Sequence, residues 1–501
     1  MKERSRQINA NAIRESDSDK VPEKSPNKEV PASTEVMEGR ELTERNAGED
    51  AAIQAQNWEV ASSGLEGVRQ RAKADKTLRF NNLLHHITPE LLRQSFYHLK
   101  HTAAPGVDEM RWKDYAQGLD ERLRHLHERI HKGSYRAQPV RRTYILKENG
   151  TQRPLGVTAV EDKIVQTATV NVLLPIYDTD MLGFSYGFRI GKSQHMALDA
   201  LAVAIDRRRI KWILDADIKA FFDQIPHSIL MELIELRVGD KRILRLIRKW
   251  LKTGYSEDGI VHRQDVGTPQ GSVISPFLAN IYLHYVLDQW VEYERKTRPC
   301  GDVIIVRFAD DFVIGFAHRA TAERYLAELR DRFTAFGLTL HPDKTRLIEF
   351  GRYAATNRSK RGDGKPETFN FLGFTHICAT NRKGGFFLKR TTIAKRLKNK
   401  VKEITADLRK RMHRPVKETG DWLKSVFRGH VNYYGVPGNL EALKSFRDLI
   451  AGAWRKVLRR RSQKGRTMTW EKFRKILDAY LPHVQICHPF PNVRFDAIHS
   501  R

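Results

Sequence analysis

The order of apolar and polar positions along the chain predicts a fold in which strands and helices are mixed. Leu119, Leu123, Leu126 and Ile130 recur at helical spacing and predict a helix at 118–131. The same criterion predicts further helices at 160–174, 193–208, 227–236, 240–252, 274–296 and 320–336. Short runs rich in β-branched residues predict strands at 139–146, 153–157, 212–217, 303–316 and 345–350. Strands that alternate with helices over one sheet indicate an α+β fold.

The pattern changes in the last third of the chain. Residues 352–368 are polar and basic and predict a loop, and from about residue 390 the spacing becomes helical. One amphipathic helix is predicted by an apolar stripe of Ile393, Leu397, Val401, Ile404, Leu408 and Met412. A later helix ends in three consecutive arginines, 459–461. Residues 1–57 contain no aromatic residue and are rich in Glu, Ser, Asn and Lys, so we expect a disordered extension.

Composition adds a strong constraint on partners. The net charge is +28, and residues 58–501 alone carry +31 because residues 1–57 are acidic by 3. Such an excess of cations predicts binding to polyanions, but it does not distinguish a general RNA-binding protein from a polymerase. Cys300, Cys378 and Cys487 are far apart, which argues against a disulfide framework or a zinc cluster. No apolar run approaches the ~20 residues of a membrane span, and we expect a cytoplasmic protein.

Two groups of acidic residues interrupt predicted strands. Asp310 and Asp311 lie at the expected turn of the 303–316 hairpin, and Asp215 and Asp217 lie on the 212–217 strand. A solvated acidic turn would explain Asp310 and Asp311 if they stood alone. Hard divalent cations bind carboxylates, and polymerases use two such ions about 3.5–4 Å apart. Asp217, Asp310 and Asp311 on neighbouring strands would supply the ligands for two Mg²⁺ ions.

A series of motifs in fixed order resembles the reverse transcriptases, or maturases, encoded by group II introns. The matching runs are 104–108 (APGVD), 153–157 (RPLGV), 161–166 (EDKIVQ), 185–189 (SYGFR), 217–223 (DIKAFFD), 267–272 (GTPQGS), 308–311 (FADD), 341–346 (HPDKTR), 371–374 (FLGF) and 428–439 (RGHVNYYGVPGN). The resemblance extends from about residue 75 to the C-terminus. It implies a right-hand polymerase with fingers and palm at 75–376, a helical thumb or maturase domain at 388–475, and a short basic segment at 476–501.

The resemblance also implies roles for individual residues. Asp217, Asp310 and Asp311 are expected to be catalytic metal ligands, with the backbone carbonyl of Ile218 as a further ligand. Asp215 is expected to have no direct role. Phe222 is expected to exclude a ribonucleotide 2′-hydroxyl, although a core aromatic is the simpler alternative. The residues expected to contact the nucleotide, with Gln270 also possible for the template, are Lys147, Arg153, Phe222, Gln270, Gly271 and Lys344.

The basic helices complete the expected nucleic-acid surface. Solvated helix faces are the alternative, but few acids compensate these cations and a polymerase is expected upstream. The residues expected to contact phosphates are Lys395, Arg396, Lys398, Lys402, Arg455, Lys456, Arg459 and Arg460. The expected partners are intron RNA, an RNA template with a DNA primer, target DNA and deoxynucleoside triphosphates. A homodimer is a further alternative, and no membrane partner is expected.

The expected function is RNA-directed DNA synthesis with assistance to intron splicing and target-primed retrohoming. One alternative is a reverse transcriptase recruited to host defence, which the 428–439 run disfavours. Another is a non-catalytic splicing cofactor, which the three acids and the 267–272 run disfavour. The sequence departs from the family at Phe308, where Tyr is commoner. It also ends at Arg501 without the paired cysteines of an endonuclease, so second-strand cleavage is not expected.

Overall fold

The computed structural model describes residues 62–146, 152–263, 265–298, 301–381 and 383–499. The extension expected at 1–57 and the expected nucleotide-binding Lys147 lie outside these residues. Within them, no helix combines the length and the apolar character needed to cross a membrane.

The first part of the described chain is helical and then forms a two-stranded hairpin. Its elements are α1 Ser62–Ala74, α2 Pro89–Tyr97, α3 Trp112–Tyr115, α4 Leu119–Lys132, β1 Val140–Leu146, β2 Gln152–Val157 and α5 Val160–Asp180. The predicted apolar face of α4 is confirmed, because Leu119, Leu123, Leu126 and Ile130 are all buried. Helix α5 is longer than predicted and continues through Pro175.

The middle of the chain alternates helices and strands as predicted. Its elements are α6 Gln194–Arg207, β3 Trp212–Ala216, α7 Phe221–Gln224, α8 His227–Glu235, α9 Lys241–Thr253, β4 Tyr255–Glu257, β5 Ile260–His262, α10 Ser275–Leu283, α11 Gln289–Thr297, β6 Val303–Phe308, β7 Asp311–Phe316, α12 Arg319–Ala335 and β8 Arg346–Glu349. A π-helical segment, His284–Asp288, joins α10 to α11. The helix predicted at 274–296 is therefore continuous but contains one wider turn.

Four antiparallel strands form a central sheet in the order β6–β7–β3–β8. Alternate residues of these strands belong to different hydrophobic cores. Leu214, Phe312 and Ile314 pack into a core with α5, α10 and α12, and Ile213 and Val313 pack into a second core with α6. Burial of both faces fixes the strand register, because a one-residue shift would exchange the faces. The ends of the strands are therefore held in place by two cores.

A first sheet, separate from the central sheet, has the order β2–β1–β4–β5. Strands β1 and β2 pair antiparallel, and β4 pairs parallel with β1. The Gly156 amide on β2 donates a 2.5 Å hydrogen bond to the Gln270 carbonyl. The first sheet is thereby joined to the loop that precedes α10.

One prediction for the region after β8 was wrong, and one sheet there was not predicted. The loop predicted at 352–368 contains a helix, α13 Ala354–Arg361, whose Arg361 pairs with Glu349 at the end of β8. A third sheet then forms from β9 Phe369–Phe371, β10 Phe374–Thr380 and β11 Phe386–Thr392, in the order β11–β10–β9. Residue 390 therefore lies in a strand. Arg390 is fully buried there and pairs with Asp199 at 3.0 Å, a contact that no local sequence pattern shows.

The remaining chain is helical, as predicted. Its elements are α14 Ala394–Lys410, α15 Val416–Tyr434, α16 Leu440–Arg460, α17 Gln463–Arg466, α18 Trp470–Tyr480 and α19 Pro491–Ile498. The predicted stripe of α14 packs into a third core, in which Ile404 and Leu408 are buried and Leu397, Val401 and Met412 are half-buried. The predicted limits at 388 and 475 cross β11 and α18, and the domain boundaries stay predictions.

The C-terminal residues return to the middle of the chain. Helix α19 packs on α6, where Arg494 pairs with the buried Asp199 at 2.5 Å. Arg207 pairs with Asp496 through both guanidinium nitrogens, at 2.8 and 2.7 Å. The His488 and His195 rings stack with their centroids 4.0 Å apart. These contacts join the C-terminal residues to helix α6.

Candidate active site

The β6–β7 hairpin places two acids at one edge of the central sheet. Phe308 pairs with Asp311, so Ala309 and Asp310 form the turn, as predicted. Ala309 has a φ of 57°. This left-handed backbone costs about 1–2 kcal/mol for a residue with a side chain. The surrounding contacts must therefore hold the turn in this conformation.

Arg307 supplies much of that support. Its fully buried guanidinium donates to the Ala309 carbonyl at 2.9 Å and to the Asp288 carboxylate at 2.7 and 2.5 Å. It also donates to Asn280 Oδ1 at 2.9 Å and to Ser185 Oγ at 2.7 Å. A planar guanidinium suits such a set because its donors have fixed directions. Arg307 thus ties the turn to α10, the π-helical segment and residue 185.

Gly187 lies directly against the same turn. A Cβ added to Gly187 would lie 2.2 Å from the Ala309 amide nitrogen, which is closer than any side chain allows. Asn280 Nδ2 donates to the Gly187 carbonyl at 2.6 Å. The 185–189 motif therefore positions the acidic turn through its backbone and the absence of a side chain.

Asp217 immediately follows β3, on the strand next to the hairpin. The β3–β7 register pairs Ala216 with Phe312, so Asp217 and Asp311 are the next opposing positions. Residues that oppose each other in antiparallel strands have Cα atoms about 4.5–5.5 Å apart. The Asp217 carbonyl accepts from the His341 amide at 2.7 Å, which fixes the backbone there. The strand register thus places Asp217 opposite Asp311, with Asp310 in the adjoining turn.

Asp215 has a different environment from Asp217. Its side chain is 20% exposed and pairs with Arg346 at 3.0 Å. Burial raises the pKa of Asp215, and the Arg346 guanidinium opposes that effect. Arg346 lies on the neighbouring strand β8, so the ion pair links two strands of the central sheet. This contact is consistent with the prediction that Asp215 has no direct role.

Negative charge is concentrated at the hairpin. The Asp311 residue is partly open to solvent, but protein atoms surround its carboxylate and limit its hydration. The negative Asp310 carboxylate lies beside it. Both effects raise the pKa of Asp311 to about 7. The Leu372 amide and the Arg396 guanidinium oppose the increase. Arg396, predicted as a phosphate contact on the thumb, therefore lies close to the acidic turn, beside the β9–β10 connection.

The donors at this edge have the chemistry of a Mg²⁺ site. Three carboxylates at adjacent strand ends, one with a raised pKa, would be stabilised by divalent cations. Asp217 Oδ2 instead pairs with Lys344 Nζ at 2.7 Å. In the described part of the chain, no three His, Cys, Asp or Glu side chains converge closely enough to hold a metal ion. The donor types fit the metal, and in the structure one carboxylate oxygen of Asp217 is occupied by the ion pair with Lys344.

The predicted backbone ligand and the predicted sugar contact are adjacent to Asp217. The hydrogen bonds that join this segment to 339–341 use the Asp217 carbonyl and the Lys219 amide, and neither uses the Ile218 carbonyl. Phe222 is half-buried, with its ring centroid 5.3 Å from that of Phe221 in an edge-to-face arrangement. Phe221 is the fully packed member of the pair, so Phe222 retains an accessible surface.

The 267–272 loop connects several predicted nucleotide contacts. The Thr268 amide donates to the Phe222 carbonyl at 2.7 Å, and the Gln270 carbonyl accepts from Gly156. Gly271 has a φ of 104°, and a Cβ there would lie 2.4 Å from the Gly156 oxygen. Arg153 is on the same strand as Gly156, although its side chain lies outside the described atoms. The loop thus joins Phe222, Gln270 and strand β2.

The basic residues of the last third do not form one uniform group. Lys395, Lys398 and Lys402 on α14 are exposed and make no ion pair or hydrogen bond within the described residues. The same is true of Lys456 and Arg460 on α16. Arg455 instead lies 4.5 Å over the Trp470 ring and donates to the Met468 carbonyl at 3.0 Å. Arg459 donates to the Arg466 carbonyl at 3.3 Å. Arg455 and Arg459 therefore contribute to packing between helices.

Sequence reasoning did not assign roles to Arg307, Asp288, Asn280 or Gly187. A charged residue inside the apolar run 303–308 was a signal for Arg307, because an arginine in a core strand needs buried partners. Its partners are on α10 and the π-helical segment, about 20 to 30 residues earlier. Because these partners are far from Arg307 along the chain, no local sequence pattern indicated the hydrogen-bond network.

Known proteins are similar to this chain in sequence. Residues 145–376 match the family described as reverse transcriptase (RNA-dependent DNA polymerase). The chain is 32% identical to Protein YkfC of Escherichia coli (strain K12) over 371 residues, which cover 67% of this chain and 93% of that protein. It is 37% identical to the group II intron-encoded protein LtrA of Lactococcus lactis subsp. cremoris over 210 residues, which cover 41% of this chain and 34% of LtrA.

A further relative comes from a fungus. The chain is 29% identical to the uncharacterized 91 kDa protein in cob intron of Schizosaccharomyces pombe over 364 residues, which cover 60% of this chain and 44% of that protein. The protein is therefore an RNA-directed DNA polymerase. More closely, the chain belongs to the group II intron reverse transcriptase and maturase family.

Proposed function

We propose that this reverse transcriptase binds the RNA of its own group II intron, assists its splicing, and copies it into DNA during target-primed retrohoming. The observation that carries the catalytic part is the position of Asp217 beside Asp311, with Asp310 in the adjoining turn. The region after residue 393 is proposed as the thumb and maturase domain. The similarity to LtrA, a group II intron-encoded protein, supports intron RNA as the partner.

Reverse transcriptases in general use divalent metal ions, and the donors here suit Mg²⁺. Asp217, Asp310 and Asp311, with the Ile218 carbonyl, would hold two ions. When bound, the ions activate the primer 3′-hydroxyl and neutralise charge on the triphosphate. The Phe222 ring would limit space under the sugar, and the 267–272 loop would present its backbone to the nucleotide. Arg307 and Gly187 hold the backbone of the acidic turn, so Asp310 and Asp311 would need no rearrangement of the hairpin, while Asp217 would first separate from Lys344.

Lys344 would have two positions in this scheme. In the structure its ammonium pairs with Asp217. Once separated from Asp217, the same ammonium would contact the triphosphate or donate a proton to the pyrophosphate leaving group. Lys344 would thus neutralise Asp217 in the resting enzyme and the substrate during the reaction.

Primer extension on an RNA template tests the catalytic proposal. Asp310→Asn should reduce extension by at least about 10³-fold, because a metal ligand is removed while the size of the side chain is kept. Binding of the template and primer, measured by fluorescence anisotropy, should stay within a few-fold of wild type. Asp215→Asn is the matched control and should keep most of the activity. Equal losses in the two variants would contradict the proposed ligand set.

Splicing assistance needs a separate test. Precursor RNA that contains the intron flanking this gene should splice faster when the protein is added at low Mg²⁺ concentration. Asp310→Asn should assist splicing as well as wild type, since RNA binding does not need the polymerase centre. An active polymerase that leaves the splicing rate unchanged would remove the maturase part of the proposal.

A further inference from the structure

A small basic pocket lies between α15 and the residues that follow α18, away from the acidic turn. Lys424, Arg428 and Asn432 recur every four residues and therefore line one face of α15. Phe427 and Val431 form an apolar floor beside them. The cavity has a volume of about 160 Å³. Pockets for drug-sized ligands measure roughly 300–1,000 Å³, so this one suits a smaller group.

The opposite wall is the segment 482–487, which we call the C-terminal strap. Pro482, His483, Gln485 and Cys487 face the pocket. The amides of Cys487 and His488 both donate to the Gly435 carbonyl, at 2.9 and 3.0 Å. At the other end of the strap, Arg447 Nε donates to the carbonyls of Leu481 and Pro482, at 3.0 and 3.1 Å. Because both ends of the strap are fixed, the pocket is formed before any ligand binds.

Four polar side chains of the pocket have no hydrogen-bond partner within the described residues. Within the described residues, the side chains of Lys424 and Arg428 make no ion pair or hydrogen bond, although many surface cations of this protein pair with acids. The side-chain amides of Asn432 and Gln485 likewise make no hydrogen bond in the described part of the chain. Phe427 is buried and packs on Phe446, so the floor is rigid.

We propose that this pocket binds one unpaired nucleotide of a single-stranded RNA segment. The apolar floor would contact the face of the base, and the two amides would hydrogen-bond its edge. Lys424 and Arg428 would contact the flanking phosphates. The inference rests on the proposed function, because it identifies a part of the RNA that the protein holds. It adds a contact that reads an unpaired base, which the exposed lysines of α14 do not provide.

Cys487 allows a test on the intact wild-type protein. It is exposed at the pocket wall, whereas Cys378 is half-buried, and peptide mass spectrometry separates both from Cys300. An unstructured RNA oligonucleotide of mixed sequence should slow alkylation of Cys487 at least about five-fold. A blunt RNA duplex and oligoglutamate should not slow it. Equal protection by the duplex would overturn base recognition, and protection by oligoglutamate would indicate an acidic peptide site.

Substitutions provide the second arm of the test. Arg428→Gln combined with Asn432→Ala should weaken binding of the same oligonucleotide about five- to tenfold. Lys475→Gln on α18, a single charge change outside the pocket, is the control and should have little effect. Extension of a pre-annealed primer should be unchanged in both variants. An unaltered affinity in the double variant would overturn the proposal.

The two proposals can fail separately. Wild-type protein that extends primers while Cys487 stays unprotected would overturn the pocket and leave the polymerase assignment intact. Protection of Cys487 in a protein that extends no primer would support the pocket and overturn the catalytic proposal. Asp310→Asn should retain full protection of Cys487, since its substitution lies at the acidic turn.

Discussion

Gly187 and Arg307 together determine the conformation of the acidic turn. Because Gly187 has no side chain, its backbone can lie close to the Ala309 amide. Arg307 donates a hydrogen bond to the Ala309 carbonyl from the interior. Neither residue is proposed to contact substrate. Their effect on catalysis would be to fix the direction in which Asp310 and Asp311 project, which is the kind of positioning that a preorganised site requires.

Substitution of Gly187 tests that role. Gly187→Ala should reduce the rate of primer extension at least about tenfold, because the new methyl group must displace the hairpin turn. Gly183→Ala is the matched control, since a Cβ at Gly183 meets no atom within 4 Å. The extension rate is measured at saturating template and nucleotide. Equal activity in the two variants would show that the turn can move without cost to catalysis.

Phe222 allows a second test at the same scale. Phe222→Ala should raise the incorporation of ribonucleotides relative to deoxyribonucleotides, because the half-buried ring would no longer fill the space near the 2′ position. The measurement is the ratio of kcat/KM for the two sugars, with Phe222→Tyr as the control that keeps the ring. An unchanged ratio in Phe222→Ala would assign the ring to packing alone.

At the scale of elements, helix α14 has two functions that its sequence did not separate. Its first turn brings Arg396 to Asp311 and to the β9–β10 connection. Its exposed side presents Lys395, Lys398 and Lys402 to solvent, and its apolar stripe enters the third core. The helix therefore links the candidate active site to the lysines that are expected to contact phosphates.

The exposed lysines of α14 predict a salt effect. Changing Lys395, Lys398 and Lys402 to Gln should lower the slope of log affinity against log salt by roughly 0.7–0.9 for each lysine–phosphate interaction that is removed. The rate of adding one nucleotide to a bound primer should change little. A control variant that changes Lys296, Lys410 and Lys444 removes the same charge, but each of these lysines already pairs with a carboxylate. Equal slopes in the two variants would identify α14 as a solvated face.

Local sequence patterns predicted the helices that bury one apolar face and the hairpin that is formed by two neighbouring apolar segments. Helix α4 and the β6–β7 hairpin are examples. The position of Asp217 next to the hairpin was inferred from the needs of a two-metal site, and the strand order that places it there is seen only in the structure. The third sheet was missed because β9 has only three residues and β11 carries Lys389 and Arg390. Arg390 is stabilised in the interior by Asp199, about 190 residues earlier. Such long-range pairs leave no periodic signal in the sequence.

At the scale of the whole molecule, residues from the last quarter of the chain contact residues near its middle. Asp199 on α6 forms ion pairs with both Arg390 of the third sheet and Arg494 of α19. Tyr433, near the end of α15, donates to the Leu372 carbonyl at 2.8 Å, and His195 Nε2 lies 2.8 Å from the Tyr433 carbonyl. The C-terminal helices are therefore fixed to the polymerase part at several points. We expect this connection to keep the proposed thumb close to the candidate active site.

Removal of the Arg494 ion pair should loosen that connection. Arg494→Met removes one partner of a carboxylate that is 1% exposed. It should destabilise the protein by about 1–3 kcal/mol, the usual range for single substitutions, because Arg390 remains paired with Asp199. Extension products should become shorter while single-nucleotide addition is kept. Asp496→Asn breaks an exposed pair worth roughly 0–1 kcal/mol and is the control. Identical product lengths in the two variants would contradict the role of Arg494.

The π-helical segment determines the direction in which Asp288 projects relative to Asn280. Asn280 and Asp288 are eight residues apart, yet both contact Arg307. One α-helical turn of about 3.6 residues and one turn about a residue wider together span about eight residues. The two side chains therefore project in nearly the same direction. A regular α-helix turns about 100° per residue, so without the wider turn the eight residues from Asn280 to Asp288 would leave these side chains about 80° apart, and Asp288 would point away from Arg307. Deleting one residue from 284–288 would instead leave seven residues, whose directions differ by only about 20° in a regular α-helix.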